Sequence, residues 1–219
     1  MMKPLRILVA DDHDLMRRGV KTLLQTHTGW EICGEAKTGR EAVAKAEELR
    51  PDIVILDIGM PDLNGMEAAR RIRKASAGTE ILILSMHYSD QLIREIVDAG
   101  VRGYIVKTDS DRDLVIAVET LAKHKPFFTP HATEVILGSF NTGGAVKEVP
   151  EMVSERLTSR EREIVQLLAE GKSSKEVASS LGISVKTAET HRANVMRKLE
   201  LHSVSELVRY AVRNQIIEA

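Results

Sequence analysis

The chain has 219 residues, of which 43% are hydrophobic, 29% are charged and 3% are aromatic, and its formal net charge is −1. The composition is that of a globular protein, and the length favours two domains over one. A net charge so close to zero excludes a surface that is basic throughout. A nucleic acid or an anionic membrane would therefore have to meet a local patch.

The number of cysteines and the length of the apolar runs indicate the cellular compartment of the protein. Cys33 is the only cysteine, which excludes an internal disulfide framework and a cysteine-cluster metal site. No apolar run approaches the roughly 18 residues that a membrane span needs. The first residues, "MMKPLRILVADD", reach two acids before the apolar core of a signal peptide develops. We therefore expect a cytoplasmic protein without a membrane partner.

Five short apolar runs, each followed by a stretch with helical spacing, fill the first part of the chain. The runs are 5–10, 31–36, 52–57, 80–85 and 102–106. Capping signals at Thr38 with Glu41, and at Asn64 with Glu67, place two of the helix starts. Repeated βα units predict an α/β fold with a five-stranded parallel sheet covered by helices on both faces. Right-handed crossovers leave few topologies, the flavodoxin-like order among them, and we assign residues 1–125 to this domain.

The pattern changes after residue 125. The spacing allows a short helix at 131–137, and "GSFNTGGAVKEVP" (138–150) has the composition of a linker, so residues 126–153 are predicted to join two domains. Further on, three capping boxes precede helical patterns, at 158–161, 173–176 and 203–206. Residues 154–219 are therefore predicted to form a small module of four helices.

Polar residues stand where four of the predicted strands end. They are Asp11 and Asp12 after strand 1, Asp57 at the tip of strand 3, Ser85 at the tip of strand 4, and Lys107 just beyond Tyr104 of strand 5. Ligands of doubly wound sheets bind outside the carboxyl ends of the strands, so these groups are expected to meet. Clustered acids favour a hard cation such as Mg²⁺, and a lysine opposite them favours a further anionic group. Taken singly, each residue is explained as a turn former, a helix cap or a solvated cation, but the match at four strand tips together favours a binding site.

The motifs "VADDH", "ILDIGMPDLNG", "LSMH" and "GYIVK" closely resemble those of the receiver domain of bacterial two-component response regulators, and the likeness covers about the first 125 residues. The resemblance implies that Asp57 accepts a phosphoryl group from a phosphohistidine on a sensor histidine kinase. It further implies that Asp12, Asp57 and the backbone carbonyl of Gly59 ligate Mg²⁺, with Asp11 acting through water. Lys107 would then pair with the phosphoryl oxygens.

The same resemblance implies a switch. Ser85 would form a hydrogen bond with the new phosphoryl group and draw the following loop inward, and Tyr104 would turn toward the vacated space. Threonine is also common at the position of Ser85, and serine keeps the hydroxyl group that this role needs.

The module at the end of the chain contains a helix–turn–helix pattern. Val177, Ala178 and Leu181 give one helix an apolar face, and "LGIS" supplies a turn in which Gly182 is free to take positive φ and Ser184 caps the next helix. The second helix of such a motif enters the major groove of DNA. An ordinary helix hairpin with a solvated polar face has the same spacing.

A projection of residues 185–199 at 3.6 residues per turn separates two faces. The packed side is predicted to hold Val185, Ala188, Val195, Met196 and Leu199. The opposite side holds Lys186, Thr187, Thr190, Ala193, Asn194, Arg197 and Lys198, a basic face that suits phosphates and base edges. Glu189 lies on the flank, where it is placed to accept from a cytosine amino group. Arg192 points toward the packed side with its guanidinium able to reach a phosphate, and His191 is interpreted as a packing residue.

From "LTSRE" onward the chain strongly resembles the LuxR-type output domain, over nearly all of residues 154–219. In that family the third helix reads the groove and the fourth supports dimers. The fourth helix here is predicted at 203–216. Its apolar stripe, which is open to inward packing, to a second subunit or to both, consists of Val204, Leu207, Val208 and Ala211.

The sequence thus predicts a transcriptional regulator whose DNA binding or dimerisation is controlled by phosphorylation at Asp57. Its expected partners are a cognate kinase, promoter DNA, a second copy of itself and RNA polymerase. It is expected to catalyse only its own phosphotransfer and slow dephosphorylation. An aspartate-nucleophile phosphatase would carry a second acid where this chain has Gly59, and no glycine-rich loop typical of nucleotide or flavin binders follows strand 1. A regulator that binds DNA without phosphorylation stays open as an alternative.

Overall fold

The computed structural model describes residues 3–86, 88–141 and 157–217. From residue 142 onward, the predicted linker lies outside the described residues. Within the described ranges, no helix is both long enough and apolar enough to cross a membrane.

The first domain alternates strands and helices in the predicted way. Its elements are β1 Leu5–Ala10, α1 Asp14–Gln25, β2 Trp30–Ala36, α2 Gly39–Leu49, β3 Ile53–Asp57, α3 Gly65–Ala75, β4 Glu80–Ser85, α4 Asp90–Asp98, β5 Gly103–Val106, a 3-10 turn Lys107–Asp109, α5 Ser110–Leu121, β6 Phe127–Phe128 and α6 Pro130–Asn141. All strand pairs are parallel, and the order across the sheet is β2-β1-β3-β4-β5-β6. This is the flavodoxin-like order with one strand added at the edge.

The two-residue period of the strands produces a core on each face of the sheet. In β3, Ile53 and Ile55 pack toward α1 and α5, whereas Val54 and Leu56 pack toward α2, α3 and α4. All four side chains are fully buried, and burial of each stabilises the fold by roughly 1.5–3 kcal/mol. A strand that is apolar on both faces is thus explained by helices on both sides of it.

The sixth strand is a correction to the predicted five-stranded sheet. Phe127 and Phe128 pair with Gly103 and Tyr104 of β5. The helix allowed at 131–137 is longer than predicted and packs on the sheet, with Ala132 buried in the core. A strand of only two residues is too short to show the two-residue period, so only its pairing with β5 reveals it. This stretch therefore extends the first domain beyond the predicted boundary at residue 125.

The second domain consists of α7 Ser159–Ala169, α8 Ser174–Leu181, α9 Val185–Lys198 and α10 Val204–Arg213. Reciprocal capping boxes form at Thr158 with Glu161 and at Ser173 with Glu176. At the third predicted box, the Ser203 hydroxyl accepts from the backbone amide of Glu206, and the Glu206 carboxylate accepts from the backbone amide of His202 at 2.6 Å. Gly182 ends α8 with φ of 63°, the left-handed conformation predicted for the turn.

Candidate functional site

The carboxyl edge of the sheet brings together one ammonium group and two carboxylates. The Nζ atom of Lys107 lies 2.8 Å from Oδ1 of Asp57 and 3.0 Å from Oδ2 of Asp11. The three residues follow or end β5, β3 and β1; β1 pairs with β3, and β4 joins β3 to β5, all in parallel, so the strand tips lie at one edge. Both aspartates are fully buried and Lys107 is nearly so, so their charges act on one another with little screening by water.

Two further residues complete this cluster. Asp12 is half-buried, and the Nδ1 atom of His13 lies 2.9 Å from its Oδ1 atom. The backbone amide of His13 also donates to Oδ1 of Asp11 at 2.8 Å. Asp11, Asp12, His13 and Asp57 each offer one ligand atom, and these atoms all lie within 4.8 Å of one another. His13 was missed as a site residue, although it directly follows the two acids in the motif.

Among the residues that the structure describes, the three aspartates of the cluster outnumber the lysine that contacts two of them. Burial lowers the pKa of Lys107, but the attraction of Asp57 and Asp11 outweighs it and raises the pKa above its ordinary value. Lys107 is therefore charged at neutral pH, and its ammonium contacts Asp57 and Asp11, whereas Asp12 contacts His13. Oxygen donors with surplus negative charge, two of them held in a buried setting, fit a hard divalent cation such as Mg²⁺.

Ser85 and Tyr104 lie beside each other on β4 and β5. The register pairs Ser85 with Val106, and the Tyr104 ring is fully buried. Burial raises the pKa of Tyr104 to about 12, although a side-chain hydrogen bond with Ser85 acts in the opposite direction. The predicted switch pair is thus in direct contact, with the phenol ring inside the protein.

The segment after Asp57 packs tightly under the site. The amide of Gly65 donates to the carbonyl of Ile58 at 3.0 Å, which closes the loop that contains Gly59. A Cβ atom on Gly65 would lie only 2.0 Å from the backbone oxygen of Asp57. The first residue of α3 therefore has to be glycine for this helix to start so close to the tip of β3.

A second candidate surface is the polar face of α9. Six of the predicted contact residues are exposed to solvent: Lys186, Thr187, Glu189, Thr190, Asn194 and Arg197. Arg192 and His191 are half-buried, as expected for side chains at the boundary. Lys198 differs, because its Nζ atom lies 3.0 Å from the Glu161 carboxylate and so ties α9 to α7.

The packed face of α9 needs one correction, and the apolar stripe of α10, which the sequence left open, packs partly inward. Val185 was predicted on the packed side of α9, but it stands at the first turn and is 42% exposed. In the apolar stripe of α10, Leu207 and Ala211 are buried in the core of the module itself. Of the predicted dimer residues, only Val204 and the half-buried Val208 therefore present surface to a second subunit.

The comparisons with known proteins agree with this two-domain organisation. The family model of the response regulator receiver domain matches residues 7–119, and that of bacterial regulatory proteins of the luxR family matches residues 155–211. The response regulator protein VraR of Staphylococcus aureus is 36% identical over 214 residues, which cover 98% of this chain and 99% of VraR.

Solved structures show the same fold. A LuxR-family two-component response regulator from Aurantimonas sp. SI85-9A1 is 30% identical with a TM-score of 0.59, over 63% of this chain and 99% of its own. The RcsB response regulator of Salmonella typhimurium is 23% identical with a TM-score of 0.65, over 97% of this chain and 99% of its own. Because family models and a relative cover nearly the whole chain, it belongs to the two-component response regulators, as a transcriptional regulator with a receiver domain and a LuxR-type DNA-binding domain.

Proposed function

We propose that Asp57 is the phosphoacceptor and that its phosphorylation controls DNA binding or dimerisation of the C-terminal module. The observation that carries this proposal is the buried contact of Lys107 with both Asp57 and Asp11. In this contact the Lys107 ammonium lies beside the Asp57 carboxylate, which is held at the tip of a buried strand. Phosphoryl transfer needs little beyond such positioning and charge stabilisation.

The proposed step transfers a phosphoryl group from a phosphohistidine of a sensor histidine kinase. An oxygen of the Asp57 carboxylate attacks phosphorus, the P–N bond breaks, and the imidazole leaves with the bond electrons and takes up a proton. The product is an acyl phosphate on Asp57. The Lys107 ammonium, held within 3 Å of the nucleophile, neutralises charge on the phosphoryl oxygens. The slow loss of this phosphoryl group to water would reset the protein.

Mg²⁺ is the proposed cofactor. Asp12, Asp57 and the backbone carbonyl of Gly59 would hold it, with Asp11 acting through water, and the convergence of the acids supports this set. The ion supplies further positive charge toward the phosphoryl oxygens. His13 is also within reach of the cluster, and its contact with Asp12 orients that carboxylate.

Ser85 and Tyr104 are the proposed switch. A phosphoryl group adds roughly two negative charges near pH 7, and the Ser85 hydroxyl is placed at the neighbouring strand tip to donate to it. Reorientation of the Ser85 hydroxyl toward the phosphoryl group would break its hydrogen bond with Tyr104. The loss of that bond is the proposed link between the site and the surrounding loops.

The output step is proposed to be binding of promoter DNA by α9. Lysine and arginine side chains on its exposed face suit phosphates, while Asn194 and Thr190 suit base edges. Two modules in a dimer would read half-sites about 10 base pairs apart, with Val204 and Val208 as the apolar part of the contact. RNA polymerase is the proposed downstream partner, and the cytoplasm is the proposed compartment.

The test is Mg²⁺-dependent labelling of the full chain by acetyl phosphate. We expect labelling of the wild type and none of Asp57→Asn, and equal labelling of the two would contradict the proposal. Selection of bound fragments from random DNA, before and after phosphorylation, would then report the operator and the effect of the switch together.

The alternative of DNA binding without phosphorylation has one observation in its favour. The recognition face of α9 is exposed while both domains are in contact. Footprints with and without a phosphoryl mimic discriminate between the two functions, since identical patterns and affinities would favour the alternative.

A further inference from the structure

Helix α7 of the DNA-binding domain lies against the loop that joins β3 to α3 in the receiver. Gln166 makes the central contact. Its side-chain oxygen accepts from the backbone amide of Asn64 at 2.8 Å, and its side-chain nitrogen donates to the backbone carbonyl of Met60 at 3.0 Å. All three residues are buried. We call this pair of hydrogen bonds the Gln166 clamp.

The clamp is specific for the conformation of the loop. A primary amide offers a donor and an acceptor in one plane, so it fits two peptide groups only when they present a carbonyl and an N–H at the right spacing. The two groups lie on either side of Asp62, which takes a left-handed φ of 67°. If the loop changed conformation, the buried Asn64 amide and Met60 carbonyl would lose their partner on Gln166. Each buried polar group left without a partner costs about 1–3 kcal/mol.

Ion pairs around the clamp hold α7 in place. The buried carboxylate of Glu163 pairs with Arg40 of α2 and, at 3.0 Å, with Arg71 of α3. Beside the clamp, Lys172 pairs with Asp62, and the Asp62 amide donates to Glu170 at 3.1 Å. Arg162 of α7 also pairs with Glu95 of α4 at 3.4 Å, so the module is fixed on the receiver by contacts with three helices and the loop.

This docking leaves the recognition face uncovered. Six residues of α9 remain exposed with α7 in place: Lys186, Thr187, Glu189, Thr190, Asn194 and Arg197. The docked module therefore acts on the receiver without hiding its own DNA-reading face. What the contact restrains is the loop, and this loop runs from the phosphoacceptor Asp57 through Gly59 to Met60.

We propose that Gln166 is a positioning residue for the metal and phosphoryl site. It holds the β3–α3 loop in the docked conformation, and adjustment of that loop to a cation and a phosphoryl group at Asp57 competes with the clamp. The inference rests on the proposed function of Asp57 and names how the DNA-binding domain is coupled to it. By linkage, release of α7 tightens Mg²⁺ binding, and occupation of the site loosens α7 by the same factor.

The experiment measures the Mg²⁺ dissociation constant of the full chain by titration calorimetry with MgCl₂. Gln166→Leu keeps the approximate size of the side chain but removes both hydrogen bonds of the clamp, together with the bond that the Gln166 side-chain nitrogen donates to Glu170 at 2.8 Å. It is expected to lower the dissociation constant at least about fivefold. The double variant Arg40→Ala/Arg71→Ala loosens α7 without altering the loop or the clamp residue, so it is expected to shift the constant in the same direction. Gln25→Leu, an exposed position at the end of α1, is the matched control and leaves it unchanged.

Two further measurements separate positioning from a general structural effect. In labelling by acetyl phosphate, Gln166→Leu is expected to lower the Mg²⁺ concentration for half-maximal labelling and to leave the maximal rate within about twofold. In wild-type protein, MgCl₂ with acetyl phosphate is expected to speed hydrogen exchange of the Asn64 amide about fivefold. Circular dichroism checks that each variant is folded.

The outcomes distinguish this inference from the proposed function. If Asp57 is labelled normally but both clamp variants bind Mg²⁺ within twofold of wild type, or more weakly, the inference is wrong and the phosphoacceptor proposal stands. If the wild type itself binds no Mg²⁺ and is not labelled at Asp57, the proposed function fails and the inference fails with it.

Discussion

Lys107 contacts Asp57 at 2.8 Å in a setting where both side chains are almost fully buried. Such a pair is asymmetric in its energetics. Desolvation offsets much of the attraction between the two charges, so the intact pair adds little net stability. Removal of one partner alone, however, leaves a buried charge without compensation and costs several kcal/mol. The site can therefore be tested through stability as well as through labelling.

Lys107→Met is expected to destabilise the receiver by about 3 kcal/mol, because it leaves two buried carboxylates without their common cation. Urea unfolding in the presence of EDTA measures the effect. Lys21→Met is the matched control, since Lys21 pairs with Glu35 at 2.7 Å on the surface, and it is expected to cost at most about 1 kcal/mol. Equal losses for the two variants would contradict the buried pairing.

Asp57→Asn is expected to have the opposite effect in EDTA. It removes one of three clustered negative charges while Lys107 keeps its contact with Asp11, so we expect the free energy of unfolding to rise by about 1 kcal/mol. Millimolar MgCl₂ should then stabilise the wild type more than the variant. A variant that is less stable than wild type in EDTA would show that like-charge repulsion does not dominate the site.

Gly65→Ala is expected to destabilise the receiver by about 2 kcal/mol, since its Cβ atom would lie 2.0 Å from the Asp57 carbonyl oxygen and the backbone would have to move. Gly19→Ala is the control within α1. No atom lies within 4 Å of the Cβ position there, so the helix is expected to gain up to about 1 kcal/mol. Thermal unfolding checks the expected loss of stability in Gly65→Ala and the expected gain in Gly19→Ala.

Tyr104 predicts a loss of stability in alkali. Burial raises the pKa of Tyr104 to about 12, from its ordinary value of 10. The contribution of Tyr104 to the free energy of unfolding is complete below pH 10 and is lost as the pH rises toward 12. The reason is that the phenol ionises at lower pH in the unfolded chain than in the folded protein. The contribution is of the order of 2–3 kcal/mol. Urea unfolding between pH 9 and 11.5 should show a shallower decline for Tyr104→Phe, and parallel curves would contradict the prediction.

The proposed DNA face separates into two kinds of contact. Asn194→Ala is expected to cost about 1–3 kcal/mol on the selected operator and to relax specificity at one position. Lys186→Ala is expected to weaken binding to all sequences alike and to reduce the salt slope by about 1. Fluorescence anisotropy at several salt concentrations measures both, with Arg18→Ala on the exposed side of α1 as control. If both variants weakened binding to all sequences alike, Asn194 would contact the DNA phosphate backbone and not a base edge.

The parts of the fold that were predictable have local causes. Alternating apolar runs and capping signals depend on residues a few positions apart, so five strands and the starts of α2 and α3 could be read from the sequence. The third capping signal likewise marks the start of α10, where the Ser203 side chain accepts from the Glu206 amide. The structure adds a contact that the capping pattern does not predict, since the Glu206 carboxylate also accepts from the backbone amide of His202.

By itself, the sequence determined the parallel sheet, the helical module and the meeting of Asp11, Asp57 and Lys107, because parallel strands bring their carboxyl ends to one edge. Only the tertiary structure decided which surfaces remain free. It added β6, buried Leu207 and Ala211, and placed Gln166 on a loop 102 positions away from it in the chain. The physical reason is that such contacts depend on the packing of whole elements and leave no periodic signal in the local sequence.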